Sequence, residues 1–311
     1  MANYLVTGGA GFIGSNIVKT LLEKGEHVRV IDDLSTGKMK NIAPFLARID
    51  FIEASLADIE TCRRAVLDMD YILHQAAIPS VMRSVENPLS TNDANVSGTI
   101  NLLYAAKEKK TKRFVYAASS SAYGNVEVSP KVESLPPSPR SPYAVSKLAG
   151  EYYCRAFYEC YGLETISLRY FNVFGPNQDP TSQYSAVIPK FITCILRDEP
   201  PPVNGDGTQS RDFNYVGNNI IANLLACEAP RAAGEVINIA CGKSINLLEL
   251  IRTINEVSGK DIKPIFCPRQ PGDVMHSLAD IRKAKELLGY EPVVRFRDGL
   301  ERTVNWYKNE G

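Results

Sequence analysis

One tyrosine and one lysine of the sequence are spaced so that they could act together on a ligand. They are Tyr143 and Lys147, in the segment Tyr-Ala-Val-Ser-Lys. On a helix, residues four positions apart share a face, so both side chains can reach the same molecule. A tyrosine hydroxyl is a weak base at neutral pH, but a neighbouring ammonium favours its phenolate. The spacing indicates a general base, Tyr143, tuned by Lys147, although an ordinary amphipathic helix also produces it.

Three consecutive serines precede this pair and could join it. Ser119, Ser120 and Ser121 follow the apolar segment 114–116, which has the pattern of a short strand. Parallel sheets bind ligands at the carboxyl ends of their strands. We therefore expect Ser119 to assist Tyr143, and Ser120 and Ser121 to contact the substrate.

A glycine-rich segment near the start of the chain has the spacing of a dinucleotide site. It runs from Gly8 to Gly14, after a strand pattern that ends at Thr7, and it opens a helical pattern. Glycines allow the tight turn and the close approach of a pyrophosphate, while the helix N-terminus supplies amide donors. The candidate cofactor-binding residues in this segment are Gly8, Gly11, Phe12 and Ile13.

Two acidic residues, Asp32 and Asp33, end the next strand pattern. A carboxylate about 20 residues after the glycines hydrogen-bonds the adenine-side ribose of NAD and repels the 2'-phosphate of NADP. The pair therefore predicts NAD as the cofactor. The alternative is that both are ordinary surface aspartates.

Two further segments could contact the cofactor. Asp58 and Ile59 could face the adenine, and Gln75, Ala76 and Ala77 could lie beside the pyrophosphate at the end of another strand pattern. Asp58 could equally cap the helix that follows, and the alanines could serve close packing.

The composition of the chain argues against several classes of function. Lys plus Arg equals Asp plus Glu at 35 each in 311 residues, so no overall basic field would attract nucleic acid or an anionic membrane. The seven cysteines form no CxxC pair and no cluster with the three histidines, which favours reduced structural thiols and no metal site. The first residues lack the pattern of a signal peptide, and no apolar run is long enough to span a bilayer. We expect a cytoplasmic protein.

Short β-branched runs alternate with helical patterns over the first half of the chain, which predicts an α/β fold with a doubly wound parallel sheet of the Rossmann type. The strand patterns lie at 4–6, 28–31, 71–73, 114–116 and 165–168, and the helical ones at 13–24, 92–109 and 144–161. Prolines after about residue 175 mark a smaller C-terminal α/β substrate domain. A helix at 216–228 and a strand at 235–240 could return to the first domain.

Together these motifs make the chain similar to the extended short-chain dehydrogenase/reductase family, and within it to the NAD-dependent nucleotide-sugar epimerases. The similarity covers essentially the whole chain and rests on the segments 7–14, 33–37, 74–77, 119–124, 143–147, 169–176, 205–213 and 272–280, with Asn95. It implies an NAD-binding domain over 1–175 with a return segment at about 213–242, and a UDP-sugar-binding domain over 176–212 and 243–311. It also implies a homodimer through the helices at 92–109 and 144–161.

The resemblance implies further site residues. To the cofactor site it adds Ser35, Thr36, Gly37, Asn95, Tyr170 and Val173, with Tyr143 and Lys147 also touching NAD. To the UDP-sugar site it assigns Asn172, Ala186, Val187, Ile188, Asn204, Arg211, Arg269, Asp273 and Ser277. Arg211 is expected to pair with a phosphate, for which a planar guanidinium is suited, or else to form a salt bridge within the chain. Asp273 is expected to bond the uridine ribose, and Gln270 stands where many relatives have a second arginine, one position after Arg269.

The resemblance also indicates which of the family's reactions to expect. Relatives that dehydrate or decarboxylate their substrate carry acidic residues where this chain has its three serines, and hydroxyls cannot replace those acids at neutral pH. The segment 177–180 replaces an arginine-proline pair that is typical of uronate-specific relatives. We therefore expect 4-epimerisation through a 4-keto sugar.

The small side chain of Ser277 suggests the sugar. It aligns with a bulky tyrosine in relatives restricted to UDP-glucose and UDP-galactose, so it leaves room for a 2-acetamido group. The segments 119–121, 178–180 and 274–280 also resemble those of epimerases that act on UDP-N-acetylglucosamine and UDP-N-acetylgalactosamine, so we expect N-acetylated sugars as substrates, alongside the plain hexoses. The alternatives are a 4-epimerase of UDP-glucose and UDP-galactose alone or of UDP-glucuronate, and a non-catalytic NAD-binding protein of the same fold.

Overall fold

The structure of the protein, a computed structural model, describes residues 1–179, 186–269 and 275–310. Its strands are β1 (Asn3–Thr7), β2 (His27–Asp32), β3 (Asp50–Glu53), β4 (Tyr71–His74), β5 (Arg113–Ser119), β6 (Thr165–Tyr170), β7 (Val173–Phe174), β8 (Pro202–Asn204), β9 (Ser210–Arg211), β10 (Asn214–Tyr215), β11 (Val236–Ile239), β12 (Ile245–Asn246), β13 (Ile265–Cys267) and β14 (His276–Ser277). Its helices are α1 (Phe12–Glu23), α2 (Ile59–Ala65), α3 (Val81–Glu86), α4 (Pro88–Asn92), α5 (Gly98–Lys109), α6 (Pro142–Tyr161), α7 (Val187–Leu196), α8 (Val216–Glu228), α9 (Leu247–Ser258), α10 (Arg282–Leu288) and α11 (Phe296–Glu310).

Seven parallel strands form the central sheet, in the order β11-β6-β5-β4-β1-β2-β3. The central strands are apolar on both faces because helices cover both sides, as parallel sheets require. Val6, Leu73 and Val115 belong to the hydrophobic core on one face. Their neighbours Leu5 and Ile72 belong to a second core on the other face.

The strand order reverses between β1 and β4, since β2 and β3 extend to one side and β5, β6 and β11 to the other. Open α/β sheets bind ligands outside the carboxyl ends of their strands at such a reversal. The predicted doubly wound fold is confirmed, and it places the ends of β1, β4 and β5 around one cleft.

The predicted single helix over 92–109 is wrong at its N-terminal end. Helix α4 already begins at Pro88, and a wider π-helical turn over 93–97 separates it from α5. Such turns occur where a side chain needs to be redirected, often at functional sites. Here the turn carries Asn95, which is buried and bonded to two other segments.

Short strands dominate the second half of the chain. β12, β9 and β14 form a three-stranded sheet, while β8 pairs with β13 and β7 with β10. β11 joins the main sheet beside β6, within the segment predicted to return to it. The domain boundaries themselves stay predictions.

No helix among the described residues is long and apolar enough to cross a membrane. All seven cysteines are described and none forms a disulfide. The part of the chain that the structure covers contains no group of His, Cys, Asp and Glu side chains that could hold a metal ion.

Candidate active site

A cleft of about 1540 Å³ opens at the carboxyl ends of the central strands. It brings together most of the residues predicted from the sequence. Those that line it are Gly8, Gly11, Phe12, Ile13, Asp32, Asp33, Ser35, Thr36, Gln75, Ala76, Ala77, Ser119, Ser120, Ser121, Tyr143, Lys147, Tyr170, Asn172, Val173, Ala186, Arg211 and Ser277.

A second cavity of about 350 Å³ adjoins the first and shares Asn172, Val173, Ala186 and Arg211 with it. The predicted substrate residues Val187, Ile188 and Asn204 line this smaller cavity. Gly37, Asp58, Ile59, Asn95 and Arg269 line neither of the two cavities. Asp273 and Gln270 lie outside the described residues.

Helix α6 positions the predicted tyrosine and lysine. The Ser141 hydroxyl caps its first turn by accepting from the Ala144 amide at 3.1 Å, and Pro142 fits the first helical position. The Lys147 ammonium is buried and donates to the Ala117 carbonyl on β5 at 2.9 Å. Burial lowers the pKa of Lys147 to about 8, because desolvation disfavours the charged form.

Tyr143 lies one helical turn earlier on α6, beside Ser119 at the end of β5. Burial raises the pKa of its hydroxyl, and a hydrogen bond with Ser119 opposes that rise. The Ser119 hydroxyl also accepts from the amide of Ser121 at 3.2 Å and from its hydroxyl at 2.9 Å. The structure thus brings the Tyr143 and Ser119 hydroxyls together, with an ammonium on the same helix face.

The glycine-rich turn fits closely against the end of β4. Gly8 has a φ of +65°, and a Cβ there would lie 2.7 Å from the Ala76 backbone. A Cβ on Gly14 would lie 2.2 Å from the Gly8 carbonyl oxygen. Gly8 is required because its conformation and the lack of space both exclude a side chain, whereas at Gly14 the lack of space alone does so. The turn leads into the N-terminus of α1, which is suited to a pyrophosphate.

The two aspartates at the end of β2 differ in their surroundings. Asp32 is buried and accepts from the Ala10 and Leu34 amides, each at 2.9 Å. Burial raises its pKa, while these backbone hydrogen bonds oppose the rise. Asp33 is exposed at the cleft and accepts from the Ser35 amide at 3.0 Å. Asp32 therefore holds the glycine-rich turn through the Ala10 amide, whereas the Asp33 carboxylate lies exposed at the cleft.

Two of the predicted cofactor residues have evident structural contacts. Asp58 caps α2 by accepting from the Thr61 amide at 2.9 Å, which is the alternative that the sequence left open. Asn95 accepts from the Ile78 amide at 2.8 Å and donates to the Ser146 hydroxyl at 3.0 Å. It therefore joins the loop after β4 to α6.

Several residues of the site gave no signal in the sequence. The Asn223 amide donates to the Tyr170 hydroxyl at 2.7 Å, and its carbonyl oxygen accepts from Gln75 at 3.2 Å. Arg83, Lys131 and Arg140 also line the cleft. These residues are brought to the site by tertiary contacts alone, and no local motif distinguishes them from other polar residues.

The far end of the cleft is built by β9 and β14, which pair Arg211 with Ser277. The Arg211 guanidinium donates to the Ser210 carbonyl at 2.9 Å and to the Met275 carbonyl at 3.2 Å. Next to it, the buried Asp212 carboxylate accepts from the amides of Cys241 and Gly242, each at 2.9 Å. Burial raises the pKa of Asp212 to about 6. These contacts tie three distant segments together beneath the cleft.

A family description and several solved structures match the chain. Residues 4–240 match the NAD dependent epimerase/dehydratase family, to which the chain therefore belongs. The chain is 41% identical to a UDP-N-acetylglucosamine 4-epimerase from Methanobrevibacter ruminantium in complex with UDP-N-acetylmuramic acid, with a TM-score of 0.95 over 100% of this chain and 99% of that one. It is 39% identical to a UDP-glucose 4-epimerase from Thermotoga maritima with UDP-glucose, with a TM-score of 0.93 over 98% of both chains. It is 36% identical to a UDP-glucuronic acid 4-epimerase from Bacillus cereus, with a TM-score of 0.89 over 98% and 99%.

The protein is an NAD-dependent enzyme of this family, and its cleft fits that cofactor. Because Gly8 and Gly14 lack side chains, the turn packs closely against the end of β4 and leaves the N-terminus of α1 open to the cleft, as a pyrophosphate needs. Asp33, Ser35 and Thr36 line the same cleft, and their carboxylate and hydroxyl groups are suited to the hydroxyls of a ribose. NAD supplies reversible hydride acceptance, while the chain supplies binding, orientation and proton transfer.

Proposed function

We propose that this NAD-dependent UDP-sugar 4-epimerase interconverts UDP-N-acetylglucosamine and UDP-N-acetylgalactosamine, and that UDP-glucose and UDP-galactose are further substrates. The observation that carries the choice of sugar is the small Ser277 side chain at the cleft wall. It leaves volume for a 2-acetamido group as the sugar turns. The similarity to the Methanobrevibacter ruminantium enzyme supports the same choice.

Tyr143 is the proposed base. Its oxygen takes the proton from the sugar 4-hydroxyl as hydride leaves C4, and it returns that proton after the 4-keto sugar has turned its other face. Ser119 orients the 4-oxygen through a hydrogen bond, and the positive charge of Lys147 favours the phenolate. The hydrogen bond between Tyr143 and Ser119 and the buried ammonium of Lys147, one turn further along α6, support these roles.

The remaining predicted residues divide between the two ligands. Gly8, Gly11, Phe12 and Ile13 are proposed to hold the NAD pyrophosphate at the start of α1, and Asp33 its ribose. Arg211 is proposed to contact the diphosphate of the UDP-sugar. The smaller cavity, lined by Val187 among others, is proposed to receive the uracil. The contribution of Asp273 stays a prediction.

Proton NMR of the anomeric region tests the proposal directly. Purified protein with catalytic NAD is incubated separately with UDP-N-acetylglucosamine, UDP-galactose and UDP-glucuronate. Growth of the galacto-configured signal from the first substrate is expected. Conversion of UDP-galactose alone would still support 4-epimerisation but would contradict the proposed N-acetylated substrate. Conversion of UDP-glucuronate alone would favour an acidic substrate.

A homodimer through α5 and α6 is also proposed. Exposed apolar side chains lie on both helices: Tyr104 is 41% exposed, Val145 53% and Tyr152 58%. Exposed aromatic side chains that recur along neighbouring helices are typical of an interface. Light scattering of the purified protein at two concentrations tests this, and a monomer mass at both would contradict it.

A cytoplasmic location is the last part of the proposal. Thiols stay reduced in the cytoplasm, and the seven cysteines form no disulfide. Subcellular fractionation followed by immunodetection tests it, and recovery outside the cytoplasmic fraction would contradict it.

A further inference from the structure

A buried lysine in the cleft wall has no role in the chemistry described above. Lys131 is only 4% exposed, and it lines the same cleft as Tyr143 and Ser277. Lysine is almost never fully buried unless it is paired with another group. Its position therefore needs an explanation.

The backbone of Lys131 is fixed against the segment that follows β14. Its amide donates to the Leu278 carbonyl at 2.8 Å, and its carbonyl accepts from the Asp280 amide at 2.8 Å. This parallel bridge pairs Lys131 with Ala279. Paired residues project to the same face of a sheet, and so do residues two apart on a strand. Lys131 and Ser277 therefore lie diagonally on one face, within reach of a long side chain.

The ammonium of Lys131 has few partners in the protein. It donates to the Val126 backbone carbonyl. Among the described residues, no carboxylate lies within 4.0 Å of it, and burial alone lowers its pKa. An ammonium has three donors, so one carbonyl leaves two of them for other acceptors. The cleft is the space in which a ligand could supply those acceptors.

We propose that the Lys131 ammonium binds the acetamido carbonyl oxygen of the sugar, beside the space that Ser277 leaves open. This inference rests on the proposed function, because it requires an N-acetylated sugar in the pocket. An amide oxygen is a strong acceptor, and a plain hexose has only a hydroxyl at that carbon. Ser277 then permits the acetylated sugar, and Lys131 binds it in preference to the plain one.

The variant Lys131→Met tests the assignment because it keeps most of the aliphatic stem and removes the donors. Hydrogen bonds to charged groups contribute enough that we expect kcat/KM for UDP-N-acetylglucosamine to fall about tenfold or more, mainly through KM. We expect kcat/KM for UDP-galactose to change by less than about threefold and the affinity for UDP alone to stay the same. Lys260→Met is the matched control. The Lys260 ammonium lies 2.7 Å from the Asp198 carboxylate, and Lys260 does not line the cleft.

An equal loss with both sugars, no loss with either, or weaker binding of UDP would overturn the assignment. If the variant does not fold, a crystal structure of the wild-type protein with NAD and UDP-N-acetylglucosamine decides the question. The Lys131 nitrogen should then lie within hydrogen-bonding distance of the acetamido oxygen, and any other position contradicts the proposal. Failure of the wild-type protein to convert UDP-N-acetylglucosamine would instead refute the proposed function itself.

Discussion

The cleft has two halves that differ in how the chain builds them. The proposed cofactor half is built on the segments 8–14, 32–36 and 75–77, and each lies at the carboxyl end of one strand of the central sheet. The proposed sugar half is lined by Asn172, Arg211 and Ser277, with 186–188. Arg211 and Ser277 are brought together by strands of two residues, and the neighbouring Asp212 is buried and bonded to the segment after β11.

Because of this difference, we expect the two halves to respond differently to amino-acid substitutions. Within the cofactor half, backbone conformation and close packing fix the geometry, as at Gly8 and Gly14. Within the sugar half, single side chains on short strands form the wall, so one substitution can change the volume available without disturbing the sheet. We therefore expect the cofactor half to set whether the enzyme works, and the sugar half to set which substrate it accepts.

The largest effect is expected where the two halves meet, at Tyr143. Tyr143→Phe removes the proposed base and should lower kcat by about 10²- to 10⁴-fold, which is the usual contribution of a general base. The affinities for NAD and UDP should stay within about threefold of wild type. Tyr158→Phe on the outer surface of α6 is the control and should keep its activity. Retention of substantial activity by Tyr143→Phe would show that another group moves the proton.

The second largest effect is expected from a substitution at Ser277, and it should change only which sugar the enzyme converts. Ser277→Tyr fills the space beside the sugar, so conversion of UDP-N-acetylglucosamine should fall about a hundredfold or more while conversion of UDP-galactose survives. Parallel kcat/KM measurements on both substrates check this. Ser277→Ala keeps the space open and should convert both sugars. Equal activity of Ser277→Tyr on the two sugars would mean that this side chain does not limit the pocket.

The two halves also differed in how far the sequence predicted them. The glycine turn, the aspartates after β2 and the pair on α6 are local patterns, and the structure places them at one cleft. The roles of the individual residues stay predictions. Lys131 and Asn223 reach the site only through tertiary contacts, so no spacing could have indicated them. The π-helical turn that carries Asn95 was not predicted, and the contacts of Asn95 with Ile78 and Ser146 join segments that are distant in the sequence.

The dependence of kcat on pH tests whether the positive charge of Lys147 supports Tyr143. Its pKa of about 8 means that the ammonium is present below that pH and is lost as the pH rises through it. Lys147→Met should therefore lower kcat by roughly tenfold to a hundredfold at pH 7, and the gap to wild type should narrow above pH 8. Measurements of kcat from pH 6.5 to 9.5 (roughly the range around that pKa) check this. A gap that stays constant across this range would indicate that the charge of Lys147 is not what supports Tyr143.

The smallest effect that tests the comparison concerns the backbone of the cofactor half. Gly8 and Gly25 both have positive φ, at +65° and +79°, but a Cβ on Gly25 would meet nothing within 4 Å. Gly25→Ala should therefore cost only the strain of that conformation, about 1 kcal/mol of unfolding free energy, and leave NAD binding unchanged.

Gly8→Ala adds a contact of 2.7 Å with the Ala76 backbone to the same strain. The turn must then move away from β4, and small displacements of a binding loop are costly, so NAD affinity should fall at least about tenfold. Isothermal titration of both variants with NAD, together with their denaturant midpoints, separates strain from displacement. If the two variants lose stability equally and both keep their affinity for NAD, close packing at Gly8 does not shape the cofactor half. Side chains would then determine ligand binding in both halves of the cleft.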